Sequence, residues 1–211
     1  MLPASWASVA VAPTESVRSF VAIELPKEHR AALAAFTARW RAPDDGVRWV
    51  AAENLHLTLW FLGEVLRPGL EAVQLALQEA VAALPAFALR LEQPGAFPPR
   101  GAPRVLWIGL EGDLSALRAL YGAVERTLIG LGFASRSNSF SPHITLGRVR
   151  TPRGPSALPP VPELTETPPI SIEAISLMAS KLTPQGSIYS RLALLPLAPR
   201  PVSKATSSVV N

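Results

Sequence analysis

The sequence predicts an α+β fold built from antiparallel sheets, with helices on the outside and two related lobes. The first observation is that predicted strands and helices mix without the regular β-α-β alternation of parallel sheets. The second is that the order strand, helix, histidine-containing strand, helix, strand roughly recurs in the second half of the chain. The third is a repeated tetrapeptide: HLTL at residues 56–59 returns as HITL at residues 143–146. A cleft between the lobes would bring these two segments face to face.

The composition is that of a folded globular protein. Of 211 residues, 48% are hydrophobic and 17% are charged, which suffices for one domain with a sizeable core or two closely packed lobes. The absence of cysteine excludes disulfides, zinc–thiolate sites and cysteine nucleophiles, and it fits a reducing cytoplasm. No apolar run is long enough to span a bilayer, and the first residues lack the basic segment of a signal peptide. We therefore expect a cytoplasmic protein without membrane association.

The net charge of +4 comes mostly from arginine, because the chain has only three lysines: Lys27, Lys181 and Lys204. The planar arginine fork suits phosphate, and a modest basic excess suits an anionic substrate such as RNA. Genome base composition is the simpler explanation for the overall pI of about 10.1.

The first half of the chain is predicted to contain three strands and two helices. Pro26 opens the first helix, in which apolar residues recur at helical spacing. Gly63 is predicted to end the strand that carries the first tetrapeptide, and Pro85 to end the second helix. The predicted elements are a strand at 18–25, a helix at 26–41, a turn at 43–46, a strand at 47–50, a strand at 55–62 and a helix at 68–84.

The second half repeats this order and adds a closing hairpin. Asp113 is predicted to cap the third helix, which ends at Gly130 and Gly132. The Pro/Gly-rich segment 93–103 and the proline-rich segment 152–169 are predicted as irregular connections. The predicted elements are strands at 87–91, 104–110 and 140–149, a helix at 114–131, and an antiparallel pair at 170–179 and 187–195 around a turn at 183–186. We expect a flexible extension at 1–16, a single bilobal domain at 17–197 and a flexible tail at 198–211.

Each tetrapeptide is predicted to carry a polar ledge on an apolar strand. Because side chains alternate between the faces of a strand, His56 and Thr58 share one face, as do His143 and Thr145. Two facing histidines can divide general acid and general base catalysis near neutral pH. The threonine hydroxyls can hydrogen-bond the non-bridging oxygens of a phosphate. The pattern therefore indicates one metal-free active site for breaking a phosphodiester, assembled from two half-sites.

Structural histidines and a metal site are the competing interpretations. A lone His-x-Thr is weak, and a buried histidine is usually structural, but two copies with matching flanks favour function. Two histidines supply at most half of a zinc shell, and no Cys, Asp or Glu lies beside either ledge at ligand spacing. His29, within the first helix, is most simply a solvated surface residue.

Three further residues are candidates for substrate contacts. Strict alternation points Arg148 away from His143, but a bulge at Gly147 would turn it toward the site, where it would contact phosphate or a base. The alternative is a surface arginine. Phe140 and Tyr189 are candidates for stacking on a base, and each is equally well explained as core.

The two tetrapeptides and the sequences that flank them resemble the motifs of the two-histidine (2H) phosphoesterases. The resemblance is specifically to the bacterial and archaeal RNA 2′,3′-cyclic phosphodiesterases, historically called 2′-5′ RNA ligases. The resemblance covers the chain from about residue 18 to residue 195 and rests on five segments. They are FVAIELP (20–26), NLHLTLWFLGEV (54–65), RVLWIGL (104–110), SPHITLGR (141–148) and the closing S-x-L-x-P-x-G-x-x-Y pattern (180–189).

The resemblance implies a bilobal fold with a pseudo-twofold axis through the cleft, and hydrolysis of RNA 2′,3′-cyclic phosphate ends to 2′-phosphates without metal or cofactor. Carried over by residue, His56 is the proton donor to the departing 3′ oxygen and His143 is the proton acceptor that activates water. Thr58 and Thr145 hold the phosphate, with Arg148 nearby. The expected partners are RNA ends or nucleotides carrying a 2′,3′-cyclic phosphate, and we expect a monomer.

Two other functions stay open at this point. One is a nucleotide- or RNA-end-binding module that has the same fold and little turnover. The other is RNA ligation, because by microscopic reversibility the same site joins a 2′,3′-cyclic end to a 5′-hydroxyl. Water at bulk concentration favours hydrolysis over this reaction.

Overall fold

The computed structural model describes residues 15–41, 45–135, 139–150, 164, 166–184 and 186–200. The predicted extension before residue 15, most of the proline-rich connection 152–169 and the tail beyond residue 200 lie outside these residues. The strands are β1 (Ser16–Glu24), β2 (Val47–Trp49), β3 (His56–Leu66), β4 (Phe87–Phe97), β5 (Val105–Gly112), β6 (Ile144–Val149), β7 (Ile170–Ile172), β8 (Ala174–Thr183) and β9 (Gly186–Pro196). The helices are α1 (Lys27–Ala38), α2 (Arg67–Val81) and α3 (Leu114–Gly130), with a 3-10 turn at Ala52–Asn54.

The strands form one antiparallel sheet made of two equivalent halves. Its order is β7-β4-β5-β6-β3-β1-β8-β9, and β2 pairs beside β6. Each half therefore has a tetrapeptide strand at its inner edge. One half consists of β3 followed in the sheet by β1, β8 and β9, and the other of β6 followed by β5, β4 and β7. The only Cα pair joining β3 to β6 is Leu57 with Ile144. The predicted α+β fold is confirmed, with the difference that this single pair joins the two predicted sheets into one.

Each tetrapeptide strand has a β-bulge immediately after its threonine. In β3, Trp60 pairs with Val21 and Thr58 with Ala22, so Leu59 is the extra residue. In β6, Gly147 pairs with Leu106 and Thr145 with Trp107, so Leu146 is the extra residue. A bulge bends a strand and changes which face the following side chains occupy.

The core lies behind the tetrapeptide strands. The four aliphatic residues of the two segments, at positions 57, 59, 144 and 146, are at most 1% exposed. Each of the helices α2 and α3 buries one apolar stripe, and the two helices pack against each other and against β3. Burial of these stripes packs both helices behind the apolar side of the first ledge. The stripes are Leu70, Val73, Leu77 and Val81 in α2, and Leu117, Leu120, Val124 and Leu128 in α3.

Several predicted boundaries were wrong. β6 begins at Ile144 rather than at residue 140, so His143 directly precedes the strand. β3 does not end at Gly63 but passes through it to Leu66, because this glycine adopts a positive φ of 77° at a register shift. β4 continues to Phe97 through the segment predicted as irregular, because Pro94 lies at a register shift in its pairing with β5. Asp113 precedes α3 but makes no side-chain cap hydrogen bond; its Oδ2 accepts from the backbone N–H of Ala88 instead.

His29 is buried, in contrast to the surface position predicted from sequence. It is 1% exposed and lies on the face of α1 that also buries Leu33 and Phe36. Its Nε2 lies 2.7 Å from the carbonyl oxygen of Pro168, to which the ring donates. His29 therefore ties α1 to the segment before β7 and lies apart from the ledges. None of the helices in the described parts of the chain combines the length and hydropathy needed to cross a bilayer.

Candidate active site

The two half-sites open onto one cavity of about 630 Å³. Its lining includes all five residues that the sequence singled out, although they come from segments almost 90 positions apart: His56, Thr58, His143, Thr145 and Arg148. Phe140 and Tyr189, the two candidate stacking residues, line the same cavity. The fold thus places both ledges in one cavity, as expected for a cleft between two lobes.

Each histidine is held by a backbone carbonyl two residues before it. Nδ1 of His56 lies 2.7 Å from the carbonyl oxygen of Asn54, and Nδ1 of His143 lies 2.8 Å from that of Ser141. A carbonyl oxygen only accepts, so Nδ1 carries the proton and donates in both rings. Nε2 is then the nitrogen available for proton transfer in each half-site. This arrangement fixes the tautomer and the orientation of both imidazoles in the same way.

The first ledge is closed by a hydrogen bond between its two polar side chains. Nε2 of His56 lies 2.9 Å from Oγ1 of Thr58. The neutral ring accepts this bond from the hydroxyl, and the protonated ring donates it. Burial lowers the pKa of His56, while the Asn54 carbonyl and the Glu24 carboxylate partly oppose that effect. The protonation state of His56 therefore depends on the charges placed next to it.

Two aromatic side chains lie against the histidine in each half-site. The His56 ring lies 5.0 Å from the ring of Phe20 and 5.4 Å, edge-on, from that of Tyr189. The His143 ring lies 5.1 Å, edge-on, from Phe97 and 6.3 Å from Trp107. These contacts restrict both imidazoles and give the cavity apolar surfaces against which a base can pack.

The bulges bring one further residue from each strand into the cavity. Phe61 lies three residues after Thr58, and Arg148 three residues after Thr145, and both line the cavity. Without the extra residue at Leu59 and Leu146, alternation would place both side chains on the opposite face. Phe61 and Arg148 are therefore equivalent positions, one supplying an exposed aromatic surface and the other an exposed cation.

Sequence reasoning missed several residues that shape the cavity. Phe97 lay in a segment predicted as irregular, and Phe61 on the face opposite the first ledge. Tyr121 of α3 stacks on Phe140 with ring centroids 4.1 Å apart and an interplanar angle of 9°. Asn54 and Ser141 orient the histidines through backbone carbonyls, which no side-chain pattern reveals. The matching spacing of Phe61 and Arg148 after the two threonines was the available signal.

No cluster of three or more His, Cys, Asp or Glu side chains suited to a metal ion occurs among the described residues. The chemistry that the described side chains offer is proton transfer by the two imidazoles, together with hydrogen bonding by the hydroxyls and the guanidinium.

The pattern of two equivalent half-sites is also the pattern of a known family. The model of the family described as LigT like Phosphoesterase matches the chain twice, over residues 23–107 and 108–189. Each match contains one tetrapeptide, so the two matches correspond to the two halves of the site. The chain belongs to the LigT-like phosphoesterase family. Together the matches cover most of the chain, including β2, β3, β4, β6, β7 and β8.

Individual relatives in this family extend over nearly the same length. An RNA 2′,3′-cyclic phosphodiesterase of Thermus thermophilus is 39% identical over 183 residues, which is 83% of this chain and 88% of the relative. An RNA 2′,3′-cyclic phosphodiesterase of Thermotoga maritima is 33% identical over 178 residues, covering 83% of this chain and 93% of the relative. The crystal structure of E. coli LigT complexed with 3′-AMP superposes with a TM-score of 0.74 at 30% identity, covering 87% of this chain and 99% of that one.

Proposed function

We propose that this LigT-like phosphoesterase hydrolyses RNA 2′,3′-cyclic phosphodiester ends to 2′-phosphomonoesters by general acid–base catalysis. The observation that carries the proposal is that both histidines line one cavity, each with Nδ1 bound to a carbonyl and a threonine beside it. The names of the Thermus and Thermotoga relatives support the substrate class, and the 3′-AMP bound to E. coli LigT supports a nucleotide at this kind of site.

The reaction needs one neutral and one protonated imidazole. Neutral His143 takes a proton from a water molecule through Nε2, and the water oxygen attacks the phosphorus. The bond between phosphorus and the 3′ oxygen breaks, and protonated His56 donates its Nε2 proton to that oxygen. The product is a 3′-hydroxyl and a 2′-phosphomonoester. After each turnover His143 is protonated and His56 is neutral. Both rings must therefore exchange protons with water before the next turnover.

The remaining polar side chains bind the phosphate. The hydroxyls of Thr58 and Thr145 donate to its two non-bridging oxygens, and the Arg148 guanidinium neutralises its charge. Hydrogen bonds that strengthen as negative charge develops lower the barrier rather than only the dissociation constant. The aromatic surfaces around the cavity pack against the terminal base, because stacking tolerates any base.

We further expect a monomeric, cytoplasmic enzyme that acts on RNA ends, in a single bilobal domain spanning residues 17–197. One polypeptide supplies both histidines to one cavity, so no second copy is needed to complete the site. The same geometry also supports 2′-5′ ligation, in which a 5′-hydroxyl takes the place of water as the nucleophile and the 3′ oxygen again leaves. Hydrolysis dominates because water is present at far higher concentration.

The test is turnover of an oligoribonucleotide with a 2′,3′-cyclic phosphate in the presence of excess EDTA. We expect full conversion to an end carrying a 2′-phosphate, which a non-specific phosphatase removes and an enzyme that removes only 3′-phosphates does not. The matched control is the His56→Asn/His143→Asn protein, which should bind the RNA without converting it. Binding without turnover by the wild type would favour the RNA-end-binding module, and a strict need for added metal would overturn the two-histidine mechanism.

A further inference from the structure

A carboxylate faces the first histidine across the sheet. In the β1–β3 pairing, Ile23 lies opposite Leu57 and Glu24 lies opposite His56. In the other half, Ile108 of β5 lies opposite Ile144 of β6. His143 directly precedes β6 and is not part of that pairing. His56 therefore has a carboxylate as its cross-strand neighbour, whereas His143 lies outside the paired register.

Glu24 is held in place as an ionised group. Arg191 binds both of its carboxylate oxygens, with Nε 2.7 Å from Oε1 and Nη2 2.9 Å from Oε2. The hydroxyl of Ser176, which is 1% exposed, donates to Oε1 as well. The hydrogen bonds from Arg191 and then Ser176 lower the pKa of Glu24, although burial works in the opposite direction. This carboxylate therefore keeps its negative charge throughout the neutral pH range.

Glu24 and His56 also meet in a second, smaller cavity of about 160 Å³. Several charged or titratable groups from other elements line it: Arg30 of α1, Glu53 of the 3-10 turn, and Tyr189 and Arg191 of β9. Of the carboxylates in this lining, Glu24 is the one paired directly with His56 and fixed by a bidentate contact. On its other side His56 faces the main cavity, which it shares with His143 and Arg148.

In the other half of the sheet, a carboxylate lies next to Gly109 of β5. Glu92 of β4 reaches over Gly109, where its Oε2 lies 2.7 Å from the position that a Cβ on Gly109 would occupy. Its side chain is exposed, and it belongs to β4, which is separated from β6 by β5. A solvated carboxylate interacts with a neighbouring charge more weakly than a fixed, half-buried one. The two carboxylates therefore differ: Glu24 is fixed and half-buried, whereas Glu92 is exposed.

We propose that Glu24, fixed by Arg191 and Ser176, is the positioning residue that favours the protonated form of His56 and so assigns it the role of acid. The inference rests on the proposed function for its kinetic consequence but not for its electrostatic one. Burial alone would favour the neutral ring of His56 and so oppose its use as the acid. An adjacent fixed negative charge stabilises the imidazolium and opposes that effect.

The direct test is an NMR titration of the imidazole resonances in wild type and in Glu24→Gln. The chain has only 3 histidines, so His56→Asn and His143→Asn proteins suffice to assign them. We expect the His56 resonance to titrate at lower pH in Glu24→Gln, with the His143 resonance displaced much less. An unchanged His56 titration, or equal displacements of both rings, would overturn the proposal.

The matched controls separate charge from structure. Glu53→Gln removes the other carboxylate of the smaller cavity, and Glu92→Gln removes the one near Gly109; neither should move the His56 titration as Glu24→Gln does. Glu24→Asp keeps the charge and should recover most of the wild-type titration. A displacement by Glu53→Gln as large as that by Glu24→Gln would refute the assignment. Urea denaturation of every variant shows whether the fold itself has changed.

Kinetics supply the second readout. The alkaline limb of the pH profile of kcat/KM belongs to the group that must be protonated, so Glu24→Gln should move this limb to lower pH and leave the acid limb in place. At pH 8 we expect a loss of about 3- to 10-fold, falling to less than about twofold near the acid limb. A uniform loss at all pH values would contradict the proposal. Absence of hydrolysis by the wild type would instead overturn the proposed function, leaving the NMR result to decide the role of Glu24.

Discussion

Replacing His143 by asparagine removes the proton acceptor of the second half-site but keeps a side chain able to donate to the Ser141 carbonyl. The asparagine amide still reaches the Ser141 carbonyl, which His143 Nδ1 contacts at 2.8 Å, but it carries no group that accepts a proton near neutral pH. Loss of one general base costs a factor of about 10² to 10⁴ in rate, which is about 3–5 kcal/mol of barrier. The alanine variant loses in addition one hydrogen bond, about 0.5–1.5 kcal/mol of stability.

The assay is the single-turnover rate of a 2′,3′-cyclic-ended oligonucleotide, with urea denaturation of each protein alongside. We expect His143→Asn and His143→Ala to lose similar amounts of rate, while only the alanine variant loses measurable stability. Combining His143→Asn with His56→Asn should cost less than the product of the two single losses, because the histidines act as a pair. Near-wild-type turnover by His143→Asn would show that another group activates the water.

Three further substitutions test the rest of the site. Thr58→Val removes the hydroxyl that lies 2.9 Å from His56 Nε2. We expect this change and Thr145→Val each to lower kcat by raising the activation barrier by about 1.5–3 kcal/mol. An unchanged kcat would exclude the substituted threonine from phosphate binding. Arg148→Ala should raise KM and weaken its salt dependence, with Arg148→Lys recovering only part; unchanged kinetics at two salt concentrations would remove Arg148 from the site. Gly147→Ala would place a Cβ 2.7 Å from Val47 Cγ1 and should lower stability by about 1–3 kcal/mol in urea denaturation, and an unchanged midpoint would contradict the bulge geometry.

The repeated tetrapeptide predicted the site because strand alternation is local. Side chains two residues apart share a face in any strand, so placing His56 with Thr58 and His143 with Thr145 required no knowledge of neighbouring strands. The apolar residues between them indicated which face is buried. That the two ledges share a cavity required only that the halves be related, which the recurring order of elements also indicated.

The errors arose where the outcome depends on a partner strand. Gly63 and Pro94 usually interrupt strands, but each lies at a register shift where the pairing tolerates it. No turn residue marks the bulge at Leu59, so strand alternation alone does not place Phe61 in the cavity. His29 was misplaced because a histidine on the apolar face of a helix is buried only if a carbonyl, here that of Pro168, arrives from a distant segment. Glu24 became visible only once β1 was paired with β3.

The single pair that joins β3 to β6, Leu57 with Ile144, lies one residue from each histidine. Any rotation of the two half-sheets relative to each other would therefore pivot close to the reacting groups. Atoms near a pivot move least, while β7 and β9 at the far ends of the sheet would travel furthest. The one backbone pair between these strands therefore lies directly behind both imidazoles, so the connection between the half-sheets also sets how far apart the acid and the base stand.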